Sequence, residues 1–100
     1  GFVRQKDFNF SEVKIHTLID RVLSLSTFDI QSHSIDVHKD MLETLPAVKA
    51  DRTLLEQVFL NLIINSIEAM PNGGEIRISG KTDEDFVEVM IWDEGGGIPS

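Results

Sequence analysis

The sequence predicts an α/β chain folded as a two-layer sandwich, with helices on one face of a sheet that is at least partly antiparallel. Three observations carry that expectation. An apolar period of about 3.6 residues runs through the first quarter. A long, mostly apolar helical stretch fills the middle. Two alternating apolar runs joined by a short polar turn close the chain. In order the elements read helix, strand, long helix, strand, strand, without internal repeat or low-complexity tract, so residues 1–100 form one unit.

The stretch FSEVKIHTLIDRVLSLS sets Val13, Leu18, Val22 and Leu25 near one helical face, with Ser11 placed to cap it. SIDVHKDM then alternates Ile35 and Val37 with polar neighbours, as a half-buried strand does, and Pro46 interrupts the chain before the next element. Asp51 is placed to cap a helix from Arg52 to Met70 whose Leu, Ile, Val and Phe residues occupy most of its circumference, which predicts burial on nearly every side. Pro71, Asn72, Gly73 and Gly74 end that helix. EIRISG and FVEVMIWD follow as strands joined by KTDED, a hairpin by spacing.

Bulk composition excludes several function classes. Nine basic residues against seventeen acidic give a net charge of -8, which argues against nucleic acid as a partner and leaves any anionic ligand to be held by backbone or metal. The chain has no cysteine, hence no disulfide and no thiolate site. His16, His33 and His38 lack ligand spacing and read as surface or strand residues. No stretch is long and apolar enough to span a bilayer. The residues from Gly1 do not read as a basic-then-apolar leader, as is also expected of a chain that starts inside a longer protein.

Two features point to chemistry. On the long helix, Gln57, Asn61, Asn65 and Glu68 fall within about 80° of one another, a polar stripe between apolar shoulders. Amides in such a place suit a cavity with defined partners, or else they cap nearby loops and satisfy each other. The second feature is DEGGGIP at 93–99, where Asp93 offers a carboxylate to an amino group and three glycines let backbone approach a flat ligand, although the same residues also make an acidic turn. Neither the P-loop nor the dinucleotide glycine pattern occurs.

Together, FLNLIINSIEAMPNGGEIRIS and VEVMIWDEGGGIP closely resemble the ATP-binding catalytic domain of two-component sensor histidine kinases, in the superfamily that includes DNA gyrase, HSP90 and MutL. The resemblance runs from about Phe8 to Ser100. AVKADRTLLEQVFLNLIINSIEAM is similar to the family's asparagine box with its preceding strand and cap, and DEGGGIP fits the pattern D-x-G-x-G-I-P of its first glycine box.

The resemblance implies a Bergerat-type fold, incomplete on its C-terminal side, that binds ATP with Mg²⁺. Asn65 would ligate the Mg²⁺ that bridges the phosphates, and Asn61, one turn earlier, would face the same phosphates in the catalytic role. Asp93 would accept from the adenine amino group, Gly95 and Gly97 would make room for the base, and Ile98 would wall the pocket. Glu68 either joins this set or pairs with a neighbouring loop. Where gyrase-like hydrolases carry a glutamate base, this chain has Asn61, an amide that takes no proton at neutral pH. Phosphoryl transfer to histidine is therefore the implied reaction, resting on positioning and charge neutralisation.

The family's phospho-accepting histidine lies on an upstream dimerising helical hairpin, and none of His16, His33 or His38 has its context. The lid and second glycine box that hold the triphosphate lie beyond the family's first glycine box. The implied partners are that hairpin domain, a response regulator and a second copy of the protein, at a cytoplasmic location, with a membrane anchor in the parent left open. Residues 1–100 alone are expected to bind ATP weakly or not at all, to phosphorylate nothing, and to leave a sheet edge and a helix face exposed for pairing. The alternatives are a non-enzymatic interaction or dimerisation module on this fold, and a gyrase-type hydrolase with Glu68 as base.

Overall fold

A computed structural model describes residues 8–40 and 42–94. Its elements are β1 (Phe10–Val13), α1 (Ile15–Leu25), α2 (Thr27–Ser32), β2 (Ile35–Asp40), β3 (Val48–Asp51), α3 (Arg52–Glu68), β4 (Gly74–Thr82) and β5 (Val87–Asp93). β4 is the centre of a three-stranded sheet in the order β2-β4-β5, parallel to β2 and antiparallel to β5. β1 and β3 form a separate antiparallel ribbon.

Helices and sheet enclose one core. Ile76 and Ile78 of β4 are fully buried, and they share a cluster with Leu18, Ile19 and Val22 of α1 and with Phe59, Ile63 and Ile67 of α3. Only one face of the sheet is apolar. The other carries a row from His38 through Arg77 to Trp92, with the Arg77 guanidinium 5.8 Å from the Trp92 ring centroid. Glu75 Oε2 accepts from Arg77 at 3.0 Å, and His38 Nε2 lies 3.0 Å from the same oxygen. The two-layer arrangement and its mixed strand directions thus follow the expectation.

The first helix begins later than the sequence suggests. Ser11 is not a cap: it sits in β1 opposite Ala50, and α1 starts at Ile15 after Lys14, which caps it without its side chain. A strand partner about forty positions away in sequence overrides the local signal, since β1 is held by β3. Val13 is buried from the strand, whereas Leu25 is 53% exposed because the helix turns into α2 just beyond it. At that corner the buried Ser26 hydroxyl donates to Val22 O at 3.0 Å.

The cap of α3 is as read. Asp51 Oδ1 accepts from Leu54 N at 3.1 Å, while Oδ2 accepts from Asn9 N at 2.9 Å and ties the start of β1 to the helix. These amides, that of Asn9 foremost, hold the Asp51 carboxyl below the usual carboxylate range. The helix ends at Glu68 rather than Met70, and the chain reverses through Gly73 at φ +102°. A Cβ there would stand 2.9 Å from Ser34 O, so glycine is required for shape as well as for backbone angle.

The hairpin is tighter than the spacing suggests, since β4 continues through Thr82 and the turn takes 83–86. Asp83 Oδ1 accepts from the amides of Asp85 and Phe86, both at 2.9 Å, and those bonds lower its pKa. Short polar residues here replace the missing ladder bonds.

Candidate functional site

α3 is not buried all round. Phe59, Ile63, Ser66 and Ile67 face the core, but Leu54, Val58 and Leu62 are 43%, 52% and 43% exposed. A helix in the outer layer of a sandwich has a solvent side, and here that side is apolar along one row spaced i, i+4, i+8. Counting apolar residues around the circumference could not separate the two faces. The exposed row was the part of the site that sequence reasoning missed, and its spacing was the available signal.

Gln57, Asn61, Asn65 and Glu68 stand on the same exposed arc beside that row. Each of the four is exposed, and none of their side chains has a hydrogen bond or ion pair among the described residues. The amides therefore neither cap a loop nor satisfy each other. They present donors and acceptors outward, beside the exposed row of Leu54, Val58 and Leu62 rather than inside a closed cavity.

Asp93 approaches from the sheet. It ends β5 opposite the buried Ile76, which sets it on the core-facing side with Val89 and Ile91, and it is half-buried. The turn after α3 leads directly into β4, so the start of β4 lies near the C-terminal end of the helix. Glu94 N donates to Glu75 O at 3.3 Å, and a Cβ on Gly74 would meet both Met70 Sδ and Glu94 Oε1. The end of β5 and the C-terminal end of α3, where Asn65 and Glu68 stand, are thus brought to the same end of the molecule. Gly95, Gly97 and Ile98 lie outside the described residues.

An open depression of about 580 Å³ lies at that end, between the 69–73 turn and the side chains of Trp92 and Glu94. Neither Asn61, Asn65 nor Asp93 lines it. Its Trp92 wall belongs to the polar sheet face, so it is separate from the helix arc. Electrostatically the arc is acidic. Its one charged side chain is Glu68, and the last turn of α3 carries no basic residue. Glu56, on another side of the helix, is already paired with Arg21 at 2.7 Å.

The arc offers amide oxygens and nitrogens and one carboxylate beside an exposed apolar row, and a second carboxylate, Asp93, stands at the same end of the molecule. The profile of the "Histidine kinase-, DNA gyrase B-, and HSP90-like ATPase" family matches residues 50–100. The chain is 35% identical over 86 residues to the sensor histidine kinase ZraS of Escherichia coli K12, covering 86% of this chain and 18% of that protein. It is 37% identical over 91 residues to the adaptive-response sensory kinase SasA of Microcystis aeruginosa, covering 89% of this chain and 23% of that one. The chain thus spans about a fifth of the length of these relatives. Among solved structures, the catalytic domain of histidine kinase ThkA superposes with a TM-score of 0.81 at 36% identity, over 91% of this chain and 62% of that one. ThkA has also been solved in complex with the response regulator TrrA, where the match has a TM-score of 0.79.

Proposed function

Since the chain belongs to the family of histidine kinase-, DNA gyrase B- and HSP90-like ATPases, we propose that it is the ATP-binding part of a protein-histidine kinase. The γ-phosphoryl group of ATP passes to a histidine on a separate helical hairpin, where the imidazole nitrogen forms the new bond to phosphorus as the bond to the ADP oxygen breaks. From there it is relayed to an aspartate of a response regulator. The solved pairing of ThkA with TrrA supports a partner of that class.

The observation that carries this reading is the unpartnered pair Asn61 and Asn65 on the exposed arc of α3, with Asp93 at the same end of the molecule. Asn65 and Asn61 offer amide oxygens and Glu68 a carboxylate, a donor set that fits a hard divalent cation, which takes oxygen ligands and keeps several waters. When bound, Mg²⁺ would neutralise charge on the phosphates. Asn61 orients phosphate oxygens by its amide, and the exposed Leu54, Val58 and Leu62 exclude water from one side of the nucleotide. Asp93 accepts the adenine amino group. A hydrolase of the gyrase type is disfavoured, because the place of its base is held by the neutral amide of Asn61.

The test is calorimetry of ATP with Mg²⁺ on the full-length protein. Asn65→Ala is expected to weaken binding at least about tenfold, and Asp93→Ala by about 10- to 100-fold, the loss associated with a hydrogen bond to a charged group. Unchanged affinity in both variants, with their melting temperatures intact, would reject the assignment.

A further inference from the structure

We infer that Glu68 is a specificity-determining residue that makes this site select cation-complexed nucleotide over the metal-free form. The inference rests on the nucleotide-binding reading above and deepens it. Glu68 lies three positions after Asn65 on the same exposed arc, close enough for the two side chains to act on one group. Among the described residues its carboxylate has no cation paired with it: Arg21 is engaged with Glu56, Lys39 with Asp20, Arg77 with Glu75 and Lys81 with Glu88. α3 itself carries one basic residue, Arg52, at its far end, about 24 Å away along the axis.

The backbone adds to the same field. Glu68 and Asn65 occupy the last turn of α3, the negative end of the helix dipole, where the Ala69 and Met70 amides cover the Asn65 and Ile67 carbonyls but no basic side chain offsets the remaining field. A bare triphosphate arriving there meets a carboxylate, a negative helix end and a chain of net charge -8. The amides of Asn61 and Asn65 are neutral and would accept nucleotide with or without metal. On the helix arc beside the proposed phosphate ligands Glu68 alone supplies a full charge, Asp93 being assigned to the base, so Glu68 decides between the two forms: repulsive toward naked phosphate, attractive once a divalent cation stands between. A lysine in its place would do the opposite.

The experiment measures ATP affinity of the full-length protein by calorimetry, in Mg²⁺ and in EDTA, for the native sequence, Glu68→Gln and Glu68→Lys. The quantity read is the ratio of metal-free to Mg²⁺ dissociation constants. Glu68→Gln is expected to lower that ratio about tenfold, mostly by tightening metal-free ATP, and Glu68→Lys to lower it further. Because Glu68 is exposed, melting temperatures should not move. A ratio unchanged in both variants overturns the inference while leaving the nucleotide site in place. Absence of ATP binding in either condition, or binding indifferent to Asn65→Ala, would instead overturn the nucleotide-binding reading, and this one with it.

Discussion

Asp51 joins two elements with one carboxylate. It caps α3 through the Leu54 amide and anchors the start of β1 through that of Asn9. Both bonds favour the ionised form, so the folded-state pKa lies below the value of about 3.9 usual in an unfolded chain. With the folded value depressed, the stabilisation is fully present above the unfolded pKa and is lost as pH falls through the folded one. Asp51→Ala should therefore lower the melting temperature at pH 7, and the gap to the native chain should close as pH drops below about 4. Asp51→Asn, which keeps an acceptor, should fall between them. A gap that is the same at pH 3 and pH 7 in thermal melts would refute the charge-assisted account. Asp51 was legible because capping is local: the acceptor and the amide it serves are three residues apart.

At the scale of elements, α3 separates two kinds of apolar residue that look alike in sequence. Ile63 is fully buried in the core cluster, and its neighbour Leu62 is 43% exposed. Ile63→Ala should cost about 2–5 kcal/mol of stability, the loss of buried methyl groups plus a cavity, whereas Leu62→Ser should stay within about 0.5 kcal/mol. Chemical denaturation of both variants checks this, and equal losses would mean that the exposed row is packed. The ends of α3 could be read from Asp51 and from Pro71 to Gly74, which act on their own neighbours. Which side of the helix faces water could not, because both sides are apolar, one for the core and one for the surface of the proposed site. β1 and α2 were missed for a related reason. β1 exists through its pairing with β3, and α2 is a short turn of helix after the buried Ser26, too brief to show a period.

Across the whole molecule, the two sheets leave an apolar cleft between them. Among the described residues β5 pairs only with β4, so its other edge is open. Beside that edge an opening of about 390 Å³ is lined by Val48, Ala50, Leu55, Phe59, Val87 and Val89, and Phe86 at its mouth is 70% exposed. Unpaired strand amides next to apolar side chains favour pairing with another strand. Residues 1–100 in isolation are therefore expected to self-associate with rising concentration in sedimentation velocity, despite the mutual repulsion that a net charge of -8 imposes. Raising salt screens that repulsion and should strengthen the association. Val89→Lys sets a charge on the inner face of the open edge and should return the chain toward monomer, while Glu88→Lys, on the opposite face of the same strand, should not. A chain that is monomeric at every concentration and salt would mean that its own residues already close the edge. Both substitutions make the chain less negative and so weaken the repulsion, hence if both dissociate the assembly equally, or neither does, the inner face of the edge does not hold it and the open side of β5 loses its claim as the contact surface.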